Sequence, residues 1–376
     1  MATTPVDPRV ADKMSQHLCF DGDFGNSASI NHIYGQTAAR AVEHARAQVA
    51  RLIAAQEEEV VFTSGATESI NLALMGAAHF YQQKGRHLIT MSTEHSCALD
   101  CFRRLEQEGF EVTYLSPCED GLLDVSQLEQ VVRVDTILVS VMHVNNEIGV
   151  IQPIEAIGRL LHGKGILFHV DAAQSAGKIP IDVNALQVDL MSLSAHKVYG
   201  PKGVGALYLR QKPRVRLQPV FGFGGYQETG LRPGTIATHQ VVGMGEAFEI
   251  ARAEGTAEQA HVLQMRSQLW QGIAHLGVCL NGSATQRVAG NLNMRFEGLE
   301  NELLINALSE LALSTASACV SAKARSSYVL RALGLSERQA QSSLRLSLGR
   351  FTTEHDIQKA IALFCREIPM LYSKGV

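Results

Sequence analysis

The chain has 376 residues, 46% of them apolar and 19% charged, with a formal net charge of −4. That length suits two domains, or one large α/β unit with an appended lobe. The balance of charge carries no basic footprint for direct nucleic-acid binding, and no apolar run approaches the roughly 20 residues of a membrane span. Met1-Ala2-Thr3-Thr4-Pro5 lacks the charged-then-apolar order of a signal peptide, so a cytoplasmic location is expected. Seven cysteines, an odd number without a C-x-x-C pair, argue against a disulfide framework or a closed zinc site. Cys97 and Cys101 have helical i,i+4 spacing, but no further ligand pair completes a metal site, and none is expected.

In chain order, Val60 to Thr63 reads as a strand leading through Gly65-Ala66-Thr67 into a helix with Ile70, Leu74, Ala77 and Tyr81 on one face. Further strands are expected at His87 to Met91, Glu111 to Leu115, Thr136 to Met142, Ile166 to Val170 and Leu190 to Leu193. Helices are expected between them, as at Val125 to Val132 and Ile154 to His162. This βαβ rhythm predicts a mainly parallel sheet covered by helices on both faces. Beyond about residue 250 the pattern turns helix-rich, with long helices at Ala251 to Leu276 and Thr353 to Met370. The expected division is a large domain over 13–250 and a small one over 251–376 joined by 1–12.

Polar residues at the strand ends carry the functional reading, because ligands of doubly wound sheets sit at the carboxyl ends of strands. Thr63-Ser64-Gly65-Ala66-Thr67 offers backbone amides and a hydroxyl for a phosphate, or simply a helix cap. His95, after the second strand, suits stacking on a cofactor ring and carrying protons, or a structural role. Asn146, in His143-Val144-Asn145-Asn146-Glu147-Ile148-Gly149, positions a ring hydroxyl or forms a turn. Asp171 closes Phe168-His169-Val170-Asp171, where a carboxylate pairs with a protonated pyridine nitrogen or caps a helix; Gln174 follows as a second ring contact or a capping-box partner.

The last strand ends in Ser194-Ala195-His196-Lys197. A lysine is costly at the end of a core strand; it is tolerated where its amine forms a Schiff base, or where it simply reaches solvent. Ser194 and His196 beside it suit phosphate donors. Phosphate cradle, stacking His, pyridine-pairing Asp and Schiff-base Lys, in this order, specify a fold-type-I enzyme of pyridoxal 5'-phosphate.

Among the cysteines, a relay thiol must be exposed and partly thiolate. Cys319 stands in Ser314-Thr315-Ala316-Ser317-Ala318-Cys319-Val320-Ser321-Ala322-Lys323-Ala324-Arg325, small and polar residues that predict a loop, with two cations favouring the thiolate. Cys279 and Cys365 read as core, and Cys97 as held by a helix.

The chain resembles the cysteine desulfurases of the NifS/IscS type, class-V aminotransferase-like enzymes. The matching strings are Ala2 to Val10, Phe62 to Ser69, Met142 to Gly149, His196-Lys197 with Tyr199 to Gly203, Ser317-Ala318-Cys319, and Ser347 to Glu354. The resemblance implies an α/β, PLP-dependent transferase of fold type I, with a large, mainly parallel-sheet domain and a smaller α+β domain carrying the cysteine loop. It implies removal of sulfur from L-cysteine, giving L-alanine and a persulfide on Cys319 that passes to an acceptor protein. That acceptor would serve iron–sulfur cluster assembly, tRNA thiolation or DNA phosphorothioation.

By resemblance, Lys197 is the Schiff-base lysine and the base, Asp171 pairs with the pyridine nitrogen, Gln174 meets the ring hydroxyl, and His95 stacks on the ring. Ala66, Thr67, Ser194 and His196 hold the phosphate, joined by Thr235 from the second subunit of a homodimer. Asn146 and Arg345 bind the substrate carboxylate. Other readings are a selenocysteine lyase-type reaction, which needs no relay thiol, and a non-catalytic sulfur-transfer scaffold.

Four departures from the pattern stand out. Met1 replaces a usual first strand, and Phe223-Gly224-Gly225-Tyr226 replaces a His-led glycine run. Arg325-Ser326 replaces Glu-Pro after the cysteine, and the sequence ends at Val376 without a longer tail. The last two lead us to expect a specialised acceptor, and the first is the one support for the scaffold reading.

Overall fold

The computed structural model describes residues 1–220, 225–315 and 326–373. Its large sheet contains β1 (Val60–Thr63), β2 (His87–Met91), β3 (Glu111–Leu115), β4 (Thr136–Met142), β5 (Leu167–Asp171), β6 (Leu190–Ser194) and β7 (Gly205–Leu209). The spatial order is β1-β7-β6-β5-β4-β2-β3. Strands β6, β5, β4, β2 and β3 run parallel, and β7 lies antiparallel between β6 and β1. The expected strands are all present, with β5 shifted by one residue so that Asp171 is its last member.

Both faces of this sheet are covered, which is why the strands read as near-continuous apolar runs. In β4 every residue is buried. Val139 and Val141 join one core with Val49, Phe168 and Phe248, while Ile137 and Leu138 join the core on the other face with Leu74 and Phe102. One polar ladder crosses the middle of the sheet. His169 of β5 pairs through Nδ1 with Ser140 Oγ of β4 at 2.8 Å and through Nε2 with Ser192 Oγ of β6 at 2.9 Å. Burial pushes this imidazole down to about 3, so it is neutral and one ring nitrogen accepts while the other donates. The backbone register sets Met142, Asp171 and Ser192 side by side across β4, β5 and β6.

The turn after β1 is shaped by glycine. Gly65 has φ +150°, which other L-residues rarely adopt, and precedes the helix Ala66–Tyr81 with no side chain capping it. Gly205 of β7 lies against that turn: a Cβ there would come within 2.5 Å of the Leu193 carbonyl oxygen and 2.7 Å of Gly65 Cα. Gly205→Ala is therefore expected to cost about 1–3 kcal/mol of stability and to weaken phosphate binding at the neighbouring turn. Urea unfolding and titration with pyridoxal phosphate check the two effects.

The long helix expected from Ala251 begins earlier, at Thr238, and runs to Ile273. Its first half buries Val241, Met244, Ala247 and Phe248, and also Val242 and Gly245, so it lacks the polar stripe that marks a surface helix. The boundary expected at residue 250 falls inside this helix. It packs against the helices Ile33–Leu52 and Pro8–Ser15 on one part and Glu354–Ser373 on another.

Beyond it lies a second, antiparallel sheet of β8 (Cys279–Leu280), β9 (Asn291–Arg295), β10 (Ser314–Thr315) and β11 (Ser343–Ser347), in the order β10-β11-β9-β8. Its own core joins Leu292, Met294, Leu344 and Leu346 to Phe296 and Phe364. Cys279 and Cys365, expected in the core, are only half-buried: Cys279 sits on the edge strand and Cys365 Sγ lies 3.8 Å from His275 Nε2. Among the described residues no helix is long and apolar enough to cross a membrane, and no group of three or more His, Cys, Asp or Glu side chains is placed to hold a metal ion.

Candidate active site

A cavity of about 1280 Å³ opens where the turn after β1, the ends of β4, β5 and β6, the start of the helix Ser96–Gln107 and strand β11 converge. Ala66, Thr67, His95, Asn146, Asp171, Gln174, Ser194, His196, Lys197 and Arg345 all line it. Thr235 does not line this cavity and is exposed on the surface. Cys319 lies outside the described residues.

Asp171 is 4% exposed and its Oδ1 accepts from the Ala173 amide at 2.9 Å. Burial pushes this carboxyl above its usual range, opposed by the Ala173 amide and by the charges of His95 and Lys197. A buried carboxylate in this position is stabilised by any cation brought into the cavity. Lys197 sits in a short 3₁₀ turn, Ala195–Lys197, directly after β6, and its Nζ donates to the Met1 carbonyl at 3.3 Å.

Gln174, expected at a ring hydroxyl, donates through Nε2 to the same Met1 carbonyl at 3.0 Å and accepts from Lys178 Nζ at 3.0 Å. Lys178, which sequence reasoning passed over, is half-buried; desolvation first and then the charge of Lys197 bring it down to about 7. Its signal was weak, since a lysine after Gly177 reads as an ordinary turn cation.

The candidate phosphate cradle combines the amide end of the Ala66–Tyr81 helix with Thr67, Ser194 and His196. Ser194 Oγ is buried without a hydrogen-bond partner. His196 Nδ1 lies 3.0 Å from Thr3 Oγ1, and burial together with Lys197, Lys202 and Lys178 brings its imidazole down to about 4, so the ring is neutral near pH 7. Asn146 Oδ1 is likewise buried without a partner. An orphaned hydroxyl, an orphaned amide oxygen, a buried carboxylate and an uncapped helix start, all facing one cavity, fit a phosphorylated pyridine aldehyde such as pyridoxal phosphate.

The turn after β4 joins this cavity to the small sheet. Asn145 Oδ1 accepts from the amides of Glu147 and Ile148, and its Nδ2 donates to the Thr93 carbonyl at 2.9 Å. Arg345 Nη1 donates to the Asn146 carbonyl at 2.9 Å. Asn291 and Asn293 of β9 donate to the Glu147 carbonyl at 3.0 and 3.1 Å. The Glu147 carboxylate accepts from Ser327 Oγ. The two ends of the segment that includes Cys319 are therefore both tied beside the cavity, Ser314 pairing with Arg345 across the β10–β11 ladder and Ser327 bonding Glu147.

Burial lifts Glu147 to about 7, against the Ser327 bond and the charge of Arg345. Its folded pKa lies above the ordinary carboxyl value, so the folded chain holds a proton that the unfolded chain releases. This contribution to stability is lost as pH rises through about 7. Glu147→Gln removes the titration, and its stability relative to wild type is expected to rise between pH 5.5 and pH 8, by on the order of 1–3 kcal/mol. Parallel urea melts at the two pH values check this.

With this geometry in view, comparison with known proteins is direct. The Aminotransferase class-V family matches residues 1–360, and the chain belongs to that family, whose members are pyridoxal phosphate-dependent. A cysteine desulfurase IscS of Shewanella baltica (strain OS223) is 57% identical over 371 residues, covering 98% of this chain and 92% of the relative. The solved structure of a NifS-like protein superposes with a TM-score of 0.91 at 35% identity, over 99% of this chain and 97% of that one. That of SspA in complex with cysteine gives 0.82 at 38% identity, over 93% and 98%. Within the class-V family, the chain falls among the cysteine desulfurases of the NifS/IscS type.

Proposed function

We propose that this chain takes the sulfur atom of L-cysteine onto Cys319, releases L-alanine, and hands the persulfide sulfur to an acceptor protein. The observation that carries the reading is the meeting in one cavity of Lys197, Asp171, Ser194, Asn146 and Arg345. Pyridoxal phosphate, when bound, supplies an electron sink that acidifies the Cα–H of the amino acid. Lys197 would carry it, Asp171 would pair with its ring nitrogen, and Ala66, Thr67, Ser194 and His196 would hold its phosphate. Gln174 and His95 would contact the ring.

The residues of the chain then divide the work. Arg345 pairs with the substrate carboxylate through its planar guanidinium, next to Asn146. Lys197 takes the proton from Cα, and His95 carries protons at the cavity wall. The Cys319 thiolate attacks the substrate sulfur. A sulfur–sulfur bond forms and the substrate Cβ–S bond breaks, its electron pair staying with carbon and taking up a proton. L-cysteine and one thiol thus become L-alanine and one persulfide, with no outside oxidant. The tethering of Ser314 and Ser327 at the cavity supports Cys319 as the receiving thiol. A mass gain of one sulfur atom on the Cys319 peptide after incubation with L-cysteine is the expected result; the same gain on a different cysteine, with Cys319 unmodified, overturns the assignment.

The chain is read as a homodimer, with Thr235 completing the partner's phosphate site. Thr235 lies off its own cavity, on the segment anchored by the buried Glu228, which accepts from Arg46 and from the Phe62 amide. Phe20, Phe24, Ile30, Ile33 and Tyr34 leave an exposed apolar surface that suits a second copy. A monomeric mass by sedimentation at micromolar concentration would remove this part of the reading.

A further inference from the structure

The helix Ser96–Gln107 is capped by an imidazole. His95 Nδ1 accepts from the Cys97 amide at 3.3 Å. An amide N–H only donates, so Nδ1 must present its lone pair, and the proton of the neutral ring lies on Nε2. The same Nδ1 is 3.0 Å from Cys97 Sγ. A nitrogen that already accepts can meet a thiol only as the acceptor of its S–H. Burial pushes the Cys97 thiol up to about 12, so the proton needed for that bond stays on sulfur at neutral pH. Cys97 lines the cavity together with His95 and Thr67.

We propose that Cys97 is a positioning residue: its amide and thiol together hold His95 in the Nε2–H tautomer. The inference rests on the reading of His95 as a ring contact and proton carrier, and names what sets its protonation pattern. The consequence is chemical. A histidine locked with its proton on Nε2 presents one fixed donor, whereas a ring free to exchange tautomers presents donor and acceptor in turn. A thiol contributes this bond without the strong hydration of a charged group.

The test is nitrogen-15 NMR of histidine side chains in the full-length, cofactor-loaded protein, with His95 assigned by its loss in His95→Gln. Cys97→Ala keeps the amide and removes the thiol, and alanine favours the helix. The Ala variant is expected to show a roughly two- to tenfold rise in the Nδ1–H tautomer of His95, and Cys97→Ser, which restores a donor, is expected to return to the wild-type pattern. Cys97→Val serves as a second thiol-free variant should Ala perturb folding. An unchanged tautomer in both thiol-free variants overturns the inference. A changed tautomer with unchanged alanine formation upholds the positioning role and counts against the proton-carrying role of His95, so the two readings fail separately.

Discussion

Lys197→Ala is expected to lower alanine formation from L-cysteine by at least about a thousandfold, since a positioned base alone contributes roughly 10²–10⁴ in rate and the same amine would also carry the cofactor. Lys197 leaves β6 through a 3₁₀ turn whose backbone is held on both sides: the His196 carbonyl accepts from the Thr4 amide at 3.0 Å, and the Tyr199 amide donates to Thr4 Oγ1 at 2.8 Å. Lys178 is engaged with Gln174 on a different turn, and Lys202, which also lines the cavity, follows the Ala195–Lys197 turn. Alanine assay by chromatography gives the rate, and borohydride treatment followed by mass spectrometry shows whether any lysine still holds the cofactor. Retention of more than a tenth of the wild-type rate would exclude Lys197 as the base.

Cys319→Ala is expected to abolish persulfide formation and alanine release while leaving the earlier proton transfer intact. On the proposed reading the two steps use different residues: Lys197 and Arg345 would act on Cα and carboxylate, and Cys319 on sulfur. In deuterated water the variant should therefore still exchange the Cα proton of cysteine, read by proton NMR, with alanine falling below detection. Loss of exchange together with loss of alanine would mean that Cys319 shapes the cavity and is no separate acceptor. Full alanine release would mean that sulfur leaves without a thiol on this residue, the behaviour of a selenocysteine lyase-type site.

Much of the large sheet was legible because its strands are buried on both faces. An apolar run such as Thr136 to Met142 begins and ends where the chain enters and leaves the core, and the polar residue that follows marks the ligand edge. Strand β7 was not legible: Gly205 to Leu209 becomes a strand by pairing antiparallel between β6 and β1, and its first residue is a glycine demanded by contact with Gly65. The start of the long helix at Thr238 was hidden for the opposite reason, since burial around its circumference removes the amphipathic contrast that periodicity needs. In the small sheet, β9 carries Asn291 and Asn293, whose partners lie across the lobes at Glu147. Local pattern cannot register a contact spanning more than a hundred residues.

The cavity divides in the same way. The sequence alone determined which chemistry to expect of this chain, because residue types at successive strand ends marked a candidate phosphate cradle, pyridine partner and reactive amine. Only the tertiary structure decided how those groups are held: Asp171 raised by burial, Glu147 joined to Ser327, His95 bonded by Cys97, and Lys197 set in a turn braced by Thr4. Strand-end chemistry is local and follows the chain, whereas protonation and orientation depend on burial and on partners distant in sequence, and these exist only once the sheet and the small lobe have closed on each other.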